Sequence, residues 1–163
     1  MRNFKNVVLL IILLANLMPL KNTHSQNRIY VHPVLGSDGG GNEGRNINTP
    51  IKTLHRAGQV CHGGDTIFIR GGQFTNFGDT FRQLDTLGLT PVWIMPYFNE
   101  SVTLDGNGRF FQPYEAILNI EHSRNVIIQN LRVMNNNMGG AGIRVVSDSI
   151  NATHNFITQD VIV

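Results

Sequence analysis

An all-β coil of parallel strands, a parallel β-helix closed at its start by one short α-helix, is the fold class that this sequence predicts. Three observations carry that prediction. Short apolar runs alternate with period two, they recur about every 25 residues, and one amphipathic helical segment stands just ahead of the first of them.

The first 25 residues are set apart as a leader. Arg2 and Lys5 precede an apolar run from Val7 to Leu20, broken by Asn16, and small residues follow at Thr23 and Ser25. That is the pattern of a secretory signal peptide cleaved near Ser25 and Gln26, which makes residues 26–163 an exported domain, secreted, periplasmic or on the cell surface. A helix that spans a bilayer needs about 20 continuous apolar residues. Arg2, Lys5 and Lys21 leave with the leader, so from Asn27 onward ten lysines and arginines face eleven acids. The exported part is therefore close to neutral, and no basic stripe remains to attract nucleic acid or an anionic membrane. Cys61, the single cysteine, cannot form an internal disulfide, and its neighbours predict a buried, inert thiol.

Tyr30, Val31, His32 and Pro33 predict a short strand, followed by a turn-forming loop from Gly36 to Asn48 with five glycines. Thr49 and Pro50 supply an N-cap hydroxyl and a first-turn proline, which predicts a helix from there to about Cys61. Ile51, Leu54, Ala57 and Val60 share one helical face, and Gly63-Gly64 ends the element.

Beyond the helix the period changes to two. Ile67 and Ile69 alternate with Phe68 and Arg70, and a similar strand returns at Val92 and Ile94, then at Ala116 and Leu118, then at Ala141 and Ile143. A second strand is expected to repeat in step, with Val102 to Gly106 falling on Val126 to Asn130, Asn130 on Asn155 and Leu131 on Phe156. One turn of such a coil cannot bury its inward side chains alone, and stacked turns join them into a continuous apolar column. Asn and Gly at the corners accept the left-handed backbone of sharp bends. A β-sandwich of irregular hairpins is the competing architecture.

The open end of such a stack exposes its core and its strand edges, which gives the amphipathic helix the role of a cap. The other end, Asp160 to Val163, falls inside an apolar strand, so the domain is expected to be incomplete at its C-terminus, with further turns to follow.

The stretch from Tyr30 to Phe74 resembles the start of the pectate-lyase-like superfamily. The resemblance is carried by Tyr30-Val31, Gly36-Ser37-Asp38, Thr49-Pro50-Ile51-Lys52-Thr53-Leu54, Ala57, Gly64-Asp65-Thr66-Ile67-Phe68-Ile69 and Arg70-Gly71-Gly72-Gln73-Phe74. With Gly142-Ile143-Arg144-Val145 and the recurring strands it covers nearly all of the exported part. It implies a right-handed parallel β-helix acting on polysaccharide, most plainly a lyase that cleaves an acidic glycan of the pectate or alginate kind by β-elimination. In that reaction a base takes a proton beside a carboxylate, and a cation, often calcium, stabilises the charge that develops. The resemblance implies a lysine or arginine base among acidic ligands on a middle turn.

Lys52 does not suit that part, because the helix pattern includes it, while Arg132 and Arg144 are expected to point outward from their turns. Glu121, Asp148 and Asp160 are scattered, so the catalytic and substrate-binding residues stay unassigned and the chemistry is expected on turns beyond residue 163, with calcium only in the full-length protein.

Other signals have plain readings beside the chemical ones. The oxygen-rich loop Gly36 to Gly44 lacks the ordered acids of a known calcium loop and fits a flexible turn better. His55, His62, His122 and His154 have no zinc-ligand spacing. Asn135, Asn136 and Asn137, with Met138, Gly139 and Gly140, fit a corner loop, with sugar hydrogen bonding the other reading. Asn99-Glu100-Ser101 and Asn151-Ala152-Thr153 match glycosylation acceptors.

Tyr97, Phe98, Phe110, Phe111 and Tyr114 cluster around one inter-turn loop, where aromatic rings either anchor the loop or stack on sugar faces. Two functions follow as expectations: a secreted polysaccharide lyase, monomeric when complete, or a non-catalytic β-helical module that binds glycan on a surface.

Overall fold

A computed structural model of the protein describes residues 27–75, 79–82, 90–109, 112, 115–136, 140–146 and 156–157. The leader, Phe110, Phe111, Tyr114, Asn137 to Gly139, Asp148, Asn151 to Asn155 and Asp160 to Val163 lie outside the described residues.

Eleven strands and one helix are described: β1 Arg28–Val31, α1 Leu54–Val60, β2 Thr66–Ile69, β3 Gly72–Phe74, β4 Asp79–Arg82, β5 Val92–Pro96, β6 Val102–Asp105, β7 Ala116–Glu121, β8 Val126–Ile128, β9 Arg132–Met134, β10 Ala141–Val146 and β11 Phe156–Ile157. Every strand pair among them is parallel. They form three sheets: β1-β2-β5-β8-β11, β3-β6-β9 and β4-β7-β10. From β2 onward the chain visits the first, second and third sheet in strict rotation. Parallel neighbours cannot be joined by a tight hairpin, and here each crossover is made of the strands of the other two sheets. Hairpin pairing, and with it the sandwich, is excluded for these strands. The fold is mostly β, in parallel sheets with one short helix, and β-helix-like.

The strand that follows a given strand in its sheet differs from the one sequence repetition suggested. Ile67 faces Ile94, and Trp93 and Ile94 face Ile127 and Ile128, so β5 pairs with β8 and not with β7. Thr103 and Leu104 pair with Arg132 and Val133 and not with the Val126 segment, and Phe156 pairs with Ile127 and not with Leu131. The step from Ala116 to Ala141 and from Leu118 to Ile143 is correct. Turn length varies, and an alternating apolar run carries no mark of which sheet it belongs to.

The inward residues are those that alternation selected. Ile67, Ile69, Val92, Ile94, Ala116 and Leu118 are fully buried, and Ile143 packs against the same cluster. Ile69, Ile94, Leu118 and Ile143 thus share one core with Ile29, Ile51 and Leu54. At the corners, Asn107, Asn125, Asn130 and Asn135 hold left-handed backbone with φ of 51°, 54°, 57° and 56°. Asparagine tolerates that region better than other residues with a Cβ. Gly106 is required for another reason: a Cβ there would lie 2.5 Å from the Asn135 carbonyl oxygen of the next turn.

The helix is shorter than predicted. Its N-cap is Thr53, whose hydroxyl accepts the Arg56 N–H at 3.1 Å. Thr49 and Pro50 are excluded because Ile51 is drawn into extended pairing, donating to the Tyr30 carbonyl and accepting from His32. Lys52 therefore precedes the helix. Leu54, Ala57 and Val60 are buried as expected, and α1 lies beside β4 and β1, against the first strand of the third sheet. Arg45 ties the helix end down, donating to the Val60 carbonyl and to Asp65, each at 2.9 Å.

Cys61 follows the helix and is buried. Burial, with Asp65 adding to it and Arg45 opposing, pushes its thiol up to about 12, so almost no thiolate exists at neutral pH. Iodoacetamide is expected to leave Cys61 unmodified in the folded protein and to alkylate it fully in guanidinium; mass spectrometry showing rapid labelling without denaturant would refute this.

The loop Gly36 to Asn48 is hydrogen-bonded into the fold and is not a loose turn. Asp38 accepts the N–H of Lys52 at 2.7 Å and the Thr53 hydroxyl at 2.8 Å, and the Asn42 amide donates to the Ser37 and Pro50 carbonyls. Its oxygens are committed to holding the start of the helix.

Between the second and third sheets one buried carboxylate links three turns. Asp105 accepts the Asn107 N–H at 2.7 Å, the Asn135 amide at 2.8 Å and the Gln73 amide. The Asn107 N–H first, then the Asn135 and Gln73 amides, hold its pKa below the ordinary carboxylate value. A depressed folded value gives stability that is fully present above the unfolded value, about pH 4, and is lost as pH falls through the folded one. Urea midpoints are expected to drop on acidification below about pH 4, and Asp105→Asn is expected to flatten that limb; a limb of unchanged steepness would assign the acid loss elsewhere.

Candidate functional site

The outer face of the first sheet carries a connected aromatic group. Tyr30 on β1 and Phe68 on β2 are in register and stack with centroids 5.8 Å apart and planes 22° off parallel. Tyr97, in the turn after β5, meets Phe68 edge-on at 5.5 Å and Tyr30 at 5.8 Å. Phe98 meets Tyr97 edge-on at 4.5 Å and is 79% exposed. Edge-on and offset contacts suit the ring quadrupoles, so three rings hold a platform from which the fourth projects.

Phe98 sits at φ +50°. Left-handed backbone at a bulky residue is uncommon and costs about 1–2 kcal/mol. The surrounding turn imposes it: Tyr97 donates to the Ile69 carbonyl at 2.8 Å and Glu100 donates to the Tyr97 carbonyl at 3.1 Å. The ring stands out in solvent, so it gains no burial in return for that strain.

A braced ion pair stands beside the rings. Arg70 lies over the Tyr97 ring at 5.1 Å, and its Nε donates to both Glu100 oxygens at 3.0 and 2.9 Å. The Gly71 N–H adds a third bond to Glu100 at 2.5 Å. Arg70 first, then the Gly71 N–H, holds the Glu100 pKa below the ordinary carboxylate range, and Glu100 raises the pKa of Arg70 above its ordinary value. The terminal amino groups of Arg70 make no hydrogen bond among the described residues. They are donors held at fixed orientation and matched to a carboxylate or to sugar hydroxyls. Below the platform a shallow groove of about 360 Å³ runs between Arg28, Thr66, Phe68, Trp93 and Met95.

Of the aromatic loop expected either to anchor itself or to stack on sugar, Tyr97 and Phe98 are brought to this platform, one half-buried and one exposed. Tyr30 and Phe68 were missed as partners, though their outward positions in alternating strands were a usable signal. Arg70 and Glu100 meet across 30 residues, and nothing local in the sequence announces the pair.

The proposed bases fall elsewhere. Arg132 is exposed on β9, and Arg144 on β10 lies 3.5 Å from Glu121 on β7. In register with Arg144 is Asn119, buried, whose Oδ1 has no hydrogen-bond partner. A second, polar cleft of about 500 Å³ lies between Asn27, Arg28, Glu43, Arg45, His62, Gly63 and Asp65. His55 is hydrogen-bonded to Gln59 along the helix, and no three His, Cys, Asp or Glu side chains converge among the described residues. Asn135 serves the corner at Asp105, Asn136 donates to the Gly140 carbonyl at 2.7 Å, and Asn99 is exposed.

No protein-family description and no curated protein matches this sequence. Among solved structures the chain is similar to a GH136 lacto-N-biosidase from Eubacterium ramulus, in two structures of that protein. The selenomethionine derivative superposes with a TM-score of 0.54 at 19% identity over 67% of this chain and 20% of the other. The native protein gives 0.51 at 17% identity over 71% and 21%. The chain thus spans about a fifth of that protein's length, and at this identity what the two share is the fold.

Proposed function

We propose that this chain is the N-terminal cap and first turns of a secreted, right-handed parallel β-helix that acts on carbohydrate, and that its described part binds glycan on the Tyr97–Phe98 platform. Residues 1–25 are its signal peptide and 26–163 the start of its domain. The observation that carries this reading is Phe98: a strained, exposed ring on a braced aromatic base, with donor groups of Arg70 alongside. Sugar rings present a C–H face that stacks on such a ring and hydroxyls that need fixed donors. The bidentate match between a guanidinium and a carboxylate favours an acidic polysaccharide, of the pectate or alginate kind. A fold shared with a protein named as a lacto-N-biosidase is consistent with carbohydrate as the partner.

The test is binding of the full chain to pectate, alginate, chondroitin and a neutral lacto-N-biose glycan by affinity electrophoresis. Retardation by one or more acidic polymers is expected. Migration unchanged in all four gels would remove the proposal.

A polysaccharide lyase working by β-elimination is the second reading. Its support is Arg144 on an outer strand face, beside Glu121 and the unpartnered Asn119. One arginine without converging acids gives a base and no cation site, so the described residues are expected to produce no unsaturated uronate. Calcium-dependent rise of its absorbance from this chain would make the lyase the first reading.

A further inference from the structure

Three turns leave the first sheet from the same edge. Val31, Ile69 and Pro96 are in register, so His32–Leu35, Arg70–Gly71 and Tyr97–Ser101 follow from one column of positions. Contacts tie these turns together. Gly72 donates to the Ser101 carbonyl at 3.1 Å, Gly71 donates to Glu100, and a Cβ on Gly72 would lie 2.9 Å from Pro33. The turn after β1 is itself fixed, because His32 Nδ1 accepts the N–H groups of Val34 and Leu35 at 3.1 and 3.2 Å.

Four large apolar side chains are exposed among the described residues, and three of them stand on this column: Val34 at 79%, Leu35 at 75% and Phe98 at 79%. Scattered exposed apolar residues are ordinary, whereas a line of them along the stack is not. β1 and β5 are two sheet steps apart, so Phe98 and the Val34–Leu35 tip are separated by roughly 10 Å along the stack. Arg70, on the turn between, lies over Tyr97 and is bonded to Glu100, so its donors stand beside Phe98. A protein partner needs about 800 Å² on each side, far more than three side chains in a row flanked by Arg70, Asn99 and Glu100 supply. A ridge one residue wide with donors beside one end suits a thin, linear ligand.

We infer that the glycan site extends over the three turns and takes at least a trisaccharide lying along the stacking direction, one ring on Phe98, the ring two along on the Val34–Leu35 tip, with Arg70 bonding the chain beside Phe98. This rests on the platform being a glycan site. It adds a direction, a minimum ligand length and two residues of the first turn that the aromatic platform does not contain.

The test is calorimetric titration of the full chain with galacturonic acid, its dimer and its trimer. The trimer is expected to bind about tenfold more tightly than the dimer, equal to one power of ten in Kd. Val34→Ser with Leu35→Ser is expected to bring the trimer down to the dimer's affinity and leave the monomer unchanged. Both side chains are exposed, so folding is preserved, and circular dichroism checks this. If the double variant binds every length as the unsubstituted chain does, while Phe98→Ala still weakens all of them, the extension is wrong and the platform stands. If no length binds the unsubstituted chain, the platform reading fails and the extension with it.

Discussion

Ile94→Ala is expected to lower the free energy of unfolding by about 2–5 kcal/mol, the range for deleting a large aliphatic side chain from a packed core. Ile94 is fully buried on β5, the middle strand of the five-stranded first sheet, and it faces Ile67 on one side and Ile128 on the other. In a stack of turns a cavity at that level is felt by both neighbours, since each turn is covered only by the next. The hole cannot be closed by one side chain, because Ile67 and Ile128 are themselves held by their strands. Urea denaturation followed by circular dichroism measures the loss. Met95→Ala, at the adjacent outward and half-buried position, is the control and is expected to cost well under half as much. Equal losses at both positions would mean that the column is not the core.

The core and the helix were legible because burial depends on local alternation. Ile67, Ile69, Val92 and Ile94 alternate with half-buried neighbours, and Leu54, Ala57 and Val60 mark one face of a helix. Pairing was less legible. Ile67 lies 27 residues before its partner Ile94, and Ile94 lies 34 before Ile128, because the stretches between strands change length from one circuit to the next, as Arg70–Gly71 and Tyr97–Ser101 do. A fixed step of 25 therefore drifts from one sheet into another and returns to register only where circuits match in length, as from Leu118 to Ile143. The start of the helix was misplaced for a similar reason: Thr49-Pro50 is a sound local signal, but Ile51 gains a pairing with β1 that a helix would forfeit. In the site, Phe98 was visible as one of a run of aromatics. Its left-handed backbone, its ring contacts with Tyr97 and the Arg70–Glu100 pair arise only when three turns are stacked, and no window of sequence contains all of them.

Phe98→Gly is expected to separate stability from binding by moving them in opposite directions. Glycine adopts φ +50° without the cost of about 1–2 kcal/mol that a residue with a Cβ carries there, while its freer unfolded chain takes back about 0.4–1 kcal/mol. Little packing is lost, since the ring is 79% exposed and touches chiefly Tyr97. The unfolding free energy is therefore expected to stay level or rise by up to about 1 kcal/mol. Affinity for the preferred acidic oligosaccharide is expected to fall at least tenfold, on the order of 1.4 kcal/mol or more, because the exposed stacking face is gone. Thermal melts and calorimetry on the same preparation read the two quantities. A ring kept only to anchor its loop predicts the reverse pattern, with stability falling and binding intact, so the two signs together decide what the strained turn at Phe98 is for.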